Sequence, residues 1–203
     1  MRNATLTLIT IVALTQFSWG QNTFRKVFGF NGNNTELEQS IVNDDQNIVS
    51  AGNLNNDILL IFMTPEGDTI KSTGHDLGGK EYVLGIVQTN DFGYVVSGST
   101  DAFGSNDNAV IVKFDSSGNY KWHKYFPNAT YSTFSKIIQT TDGDLLMAGT
   151  SYTSNGNDFY MVKTQNDGTP VWEKEVGGIA YDHAHAIIEA QNGDYLLAGN
   201  TQS

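Results

Sequence analysis

The chain has 203 residues with 11 basic and 22 acidic side chains, a formal net charge of −11, 39% hydrophobic residues and no cysteine. Enough apolar and aromatic material is present to build a core, so wholesale disorder is excluded. A disulfide scaffold, a cysteine-ligated zinc site, an iron–sulfur cluster and a cysteine nucleophile are excluded outright.

Met1-Arg2-Asn3 is a short basic start, and Ala4 to Leu14 is an apolar run interrupted only by threonines. Ser18-Trp19-Gly20 then places small residues before Gln21. This pattern predicts a secretory signal peptide over residues 1–20, cleaved between Gly20 and Gln21. Export to the cell surface or beyond follows, and the mature chain is expected not to be transmembrane, since no later run is long and apolar enough. Losing Arg2 leaves a mature net charge of −12, with Arg25 as the remaining arginine. That balance argues against nucleic acid and against an anionic membrane surface as partners.

From residue 21 to 203 the chain repeats itself. Small-residue–Gly pairs end at Gly52, Gly98, Gly149 and Gly199, spaced by 46, 51 and 50 residues. An aliphatic pair precedes each: Ile41-Val42, Ile86-Val87, Ile137-Ile138 and Ile187-Ile188. A second turn glycine follows at Gly67, Gly118 and Gly168, and Trp122 and Trp172 stand four residues after the last two. Lys71 holds that place in the first unit. Repeats are therefore expected at about 26–78, 79–126, 127–178 and 179–203. A fixed period of this size means one supersecondary unit copied along the chain.

Within a unit the pattern predicts four short strands. In the third they fall at Tyr131–Gln139, Asp144–Ala148, Asp158–Thr164 and Pro170–Val176. Asp142-Gly143 reads as a type I′ hairpin turn. Gly149 is expected to end the second strand, with a polar loop over 150–157. Four strands every fifty residues is the arithmetic of a β-propeller blade. The expected fold is all-β, about 3.5 repeats of four-stranded blades, forming an N-terminal part of a larger propeller whose open sheet edges invite association.

The run from Asp158 to Trp172, then Gly177-Gly178, then Asp182 to Gly199, resembles the propeller repeats of large secreted Bacteroidetes proteins. Those repeats, of delta-60, quinoprotein-like or kelch-like type, read roughly D-x-W-x-V-K-x-D-x-x-G-x-x-x-W…GG. The resemblance implies many repeats and often a type IX secretion sorting domain. The Gly-x-x-x-Trp element also looks like the tryptophan-docking element of quinoprotein propellers. Asp115-Ser-Ser-Gly118 is one residue shorter than that element, so no cofactor is expected, and the Trp is read as packing between blades.

Candidate sites are few. Asp182, His183 and His185 offer a carboxylate and two imidazoles, and in a regular strand the two histidines share a face as weak metal candidates. The loops 101–108 and 154–158 carry oxygen ligands without the spacing of a calcium loop, so turn chemistry explains them. His75 and His123 lie near blade ends without an obvious nucleophile. No catalytic set is expected. The reading is a non-enzymatic secreted or cell-surface module that binds or scaffolds an extracellular ligand. The alternative is a propeller enzyme, a quinoprotein-like dehydrogenase or a hydrolase or lyase working in the central funnel.

Overall fold

The structure is a computed structural model, and it describes residues 9–10, 26–27, 34–104, 106–127, 130–153 and 156–202. Apart from Ile9–Thr10, the expected signal peptide and its Gly20–Gln21 junction lie outside these residues. Strand β1 (Ile9–Thr10) pairs with β2 (Lys26–Val27). The rest is all-β. The first blade is β3 (Thr35–Val42), β4 (Ile48–Leu54), β5 (Asp57–Met63) and β6 (Thr69–His75). The second is β7 (Glu81–Gln88), β8 (Tyr94–Thr100), β9 (Asn108–Phe114) and β10 (Tyr120–Phe126). The third is β11 (Tyr131–Gln139), β12 (Leu145–Thr153), β13 (Gly156–Thr164) and β14 (Pro170–Val176), and β15 (His183–Glu189) pairs with β16 (Tyr195–Asn200) as a fourth unit. Each blade is an antiparallel meander in chain order, so no strand crosses over.

The blades pack face to face, with the leading strands β3, β7, β11 and β15 side by side. One core lies between the first and second blades, around Phe62, Tyr94, Val96 and Phe114. A second lies between the second and third, around Phe126, Phe134, Ile137 and Tyr160. A third joins Leu146 and Ala148 to Ala184 and Ile187. The middle strands are apolar on both sides because both sides are covered, whereas β14 is mostly exposed.

Tyr131–Gln139 and Pro170–Val176 are strands as the sequence predicts. Two expectations are corrected. The second strand does not stop at Gly149 but runs on to Thr153, so most of the expected polar loop is ladder. Thr150, Ser151 and Tyr152 pair with both neighbours, and polar side chains suit a strand whose hydrogen bonds are fully used. The turn at Asp142-Gly143 is also not type I′, because only Gly143 has a positive φ, of 88°. Gly143 N donates to Thr140 O and Thr140 N to Asp144 O. This is a type I turn followed by one left-handed residue, the three-residue hairpin connection. The same pair of bonds recurs at Thr64–Asp68, Thr89–Gly93, Asp115–Asn119, Gln165–Thr169 and Ala190–Asp194.

The repeated glycines mark a β-bulge. Register slips between Leu37 and Gln39, Val83 and Gly85, Phe134 and Lys136, and Ala184 and Ala186. The glycine opposite each slip sits against the leading strand's backbone. A Cβ on Gly149 would lie 1.8 Å from the Thr133 carbonyl oxygen, and one on Gly98 1.8 Å from that of Tyr82. The bulge therefore exists only where a side chain is missing.

Candidate functional site

The turn glycines dock one blade on the next. A Cβ on Gly168 would lie 3.1 Å from the Trp122 ring, and one on Gly118 2.9 Å from Phe62. Trp122 is thus an inter-blade packing residue. In the first blade Lys71 caps the Phe62 ring at 4.3 Å and donates to Ser117 O at 2.8 Å. Trp172 packs against Tyr195 of the fourth unit, with ring centres 6.1 Å apart. Buried lysines tie the hairpin turns to the middle strands. Lys113 Nζ reaches Asp91 at 2.6 Å and also Thr89, and Lys163 Nζ reaches Asp142 at 2.6 Å and Asp144 at 3.2 Å. Burial raises the Asp91 carboxyl, but donors from Lys113, Thr89 and Gly93 outweigh it and bring it to about 2. Asp142 falls to about 2 through the Lys163 and Thr140 bonds.

The weak metal candidates lose their geometric ground. The bulge between Ala184 and Ala186 makes His185 the extra residue, so His183 and His185 do not stand in regular i, i+2 alternation. His183 Nδ1 lies 3.2 Å from Thr150 Oγ1, and its ring meets Tyr152 edge-on at 6.1 Å. Asp182 is buried and accepts from the Gly178 amide at 3.2 Å. In the loop 101–108 the Gly104 amide donates to Asp101 O at 3.3 Å and Asn108 Nδ2 to Asn106 O at 2.9 Å, which is turn chemistry, while Asp101 Oδ1 accepts from the distant Lys80 amide at 2.6 Å.

Two groupings that the sequence does not announce lie where the first blade meets the second. One is a ladder of rings. The slip between Tyr120 and Trp122 inserts Lys121, which returns Tyr120 to the face of His123 and Tyr125 and turns Trp122 to the other side. His75, at the end of β6, stacks on Tyr120 with centres 4.0 Å apart. Tyr120 Oη lies 2.9 Å from His123 Nδ1. Phe103 stacks on His123 at 4.7 Å and leans on Tyr125 at 4.9 Å. Phe103, Tyr120 and Tyr125 remain 36%, 38% and 42% exposed. Burial lowers the pKa of both histidines, with Asp76 opposing at His75 and Lys124 adding at His123, which favours the neutral imidazoles.

The other grouping is Asp57, Asp76 and Glu81, whose nearest oxygens all lie within 4.8 Å of one another. Asp57 opens β5, Asp76 follows β6 and Glu81 opens β7. Glu81 is 2% exposed. Its Oε1 accepts from Thr100 Oγ1 at 3.3 Å, and its Oε2 has no hydrogen-bond partner. Burial raises the Glu81 pKa to about 7, against the pull of the Leu77 amide. Burial, then the Asp76 charge, raises that of Asp57.

No known protein family and no curated protein matches the sequence. Solved structures do match the fold. A protein of unknown function from Bacteroides caccae superposes with a TM-score of 0.51 at 13% identity, over 81% of this chain and 53% of that one. The WD40 domain of Neurospora crassa Pan2 superposes with a TM-score of 0.50 at 11% identity, over 80% of this chain and 46% of that one. The chain therefore spans about half the length of the solved structures it matches. No helix among the described residues is long and apolar enough to cross a membrane. Three four-stranded meanders packed face to face, with a fourth unit begun, make this chain a β-propeller.

Proposed function

We propose that the protein is a non-enzymatic binding module of the cell exterior, a propeller that presents the ring ladder of its first two blades to a neutral saccharide. One observation carries the reading: five rings from β6, β10 and the loop after β8 form one partly exposed strip. A sugar ring has an apolar C–H face and a rim of hydroxyls. Phe103 and the tyrosine faces offer the matching apolar surface. Tyr120, Tyr125, His75 and His123 supply donors and acceptors at its edges. Contiguous exposed aromatic surface of this kind marks an interaction site rather than chance exposure. The strongly acidic chain favours an uncharged ligand over a polyanion. The basic, apolar and small-residue order of the first twenty residues supports export. The resemblance of the repeat to those of secreted Bacteroidetes propellers supports the same reading.

Affinity gel electrophoresis against a panel of neutral polysaccharides tests the reading. Retardation by at least one glycan is expected, and Tyr125→Ala and Phe103→Ala should each abolish it while leaving the thermal midpoint within about 3 °C. No retardation across the panel, or retardation that both variants preserve, overturns it.

A further inference from the structure

We propose that Asp57, Asp76 and Glu81 form a calcium site that joins the first blade to the second. Three carboxylate oxygens lie within 4.8 Å of one another, so an ion between them sits within about 2.8 Å of each, close to the usual calcium–oxygen distance of about 2.3–2.6 Å. They come from both sides of the seam. Asp57 and Asp76 belong to the first blade, and Glu81 starts the second. Glu81 is the independent pointer. Its carboxylate is buried, and Oε2 has no hydrogen-bond donor. A buried acceptor left without a donor is costly, so such an atom normally signals a missing partner. Among the described residues no lysine or arginine forms an ion pair with any of the three. A cation satisfies the orphaned oxygen and offsets the mutual repulsion together. Asp76 is exposed, which leaves room for water to complete the coordination.

The repeat supplies an internal control. The register places Asn108 and Ser132 at the next seam where Asp57 and Glu81 stand at the first. There the contact is neutral and satisfied: the Ala109 amide donates to Ser132 Oγ at 2.9 Å. The backbone of the seam therefore does not need carboxylates. At the third seam the same places hold Asp158 and Asp182, and Gly177 replaces Asp76. There Asp158 Oδ1 and Asp182 Oδ1 are also buried without a donor, but the third carboxylate is missing, which leaves an ion short of protein ligands.

This site is independent of the saccharide reading. The test is the thermal midpoint of the full chain in EDTA and in calcium chloride, with isothermal titration calorimetry of calcium alone. Calcium at a hundredfold excess over its dissociation constant should raise the midpoint by about 5 °C or more. Asp76→Asn removes an exposed ligand without disturbing the core, and it should eliminate the binding heat and at least halve the shift. Glu81→Gln should do the same, and if it fails to fold Asp76→Asn decides alone. Asp158→Asn, at the third seam, should keep both signals. Absence of both heat and shift at 10 mM calcium overturns the proposal, as does a full signal in Asp76→Asn or its loss in Asp158→Asn.

Discussion

Gly149 and Gly143 stand six residues apart in one hairpin, and alanine should fail at them for different reasons and by different amounts. At Gly143 the φ of 88° is left-handed, and a Cβ would meet nothing within 4 Å. Gly143→Ala therefore carries backbone strain alone, about 1–2 kcal/mol. At Gly149 the Cβ would lie 1.8 Å from the Thr133 carbonyl oxygen and 2.7 Å from the Phe134 Cα. Both are backbone atoms in a close-packed seam, so neither retreats by a rotamer change. The leading strand must shift by roughly 1 Å or more and give up the bulge, which places the cost at the upper end of overpacking, about 3 kcal/mol or more. For a chain of this size that is a fall in thermal midpoint of about 6–12 °C, against about 2–8 °C for Gly143→Ala. Differential scanning calorimetry of both variants with the parent checks it. A Gly149→Ala midpoint equal to or above that of Gly143→Ala would refute the claim that contact with the backbone, and not turn conformation, fixes the repeated glycine.

Trp122→Ala removes the ring on which the Gly168 turn rests and should cost about 2 kcal/mol, read as a midpoint fall of about 4–8 °C with the far-ultraviolet spectrum unchanged. Lys163→Met leaves the Asp142 and Asp144 carboxylates without their shared cation, and urea unfolding should show a loss of about 1–3 kcal/mol. Asp91 and Asp142 titrate near 2 when folded and near 3.8 when unfolded, so the stability they contribute is present above pH 4 and is lost as pH falls toward 2. An Asp91→Asn/Asp142→Asn protein should accordingly show a shallower midpoint decline between pH 4 and 2 than the parent, and an equally steep decline would contradict the lysine tethers.

The period and the strands around it are legible because glycines and aliphatic pairs recur at nearly fixed spacing. The bulge is not legible, because it is a relation between strands. A sequence shows Gly149 as a small residue, and only the register shows which carbonyl it admits. The stretch 150–157 misleads for a related reason: its polarity suggests a loop, while its backbone is paired on both sides as far as Tyr152. The candidate sites were hidden by distance. Phe103 and Tyr125 meet only when the second blade folds, and His75 reaches Tyr120 only when the first blade docks on it. Asp57 and Glu81 look like ordinary turn and strand-end residues until the seam closes on them. Trp122 shows the opposite case, since a lone Trp at a fixed offset from a turn glycine already implies a surface for that turn.

The extra residue of each bulge is Glu38, Leu84, Ser135 and His185 in turn. An acid, an aliphatic, a hydroxyl and an imidazole occupy one backbone position, and none of the four is buried. The glycine opposite holds the conformation, so the side chain pushed out of the ladder bears none of that duty. Duplication of the unit thus yields a ring of positions along the leading strands where chemistry can change from copy to copy while the architecture stays constant.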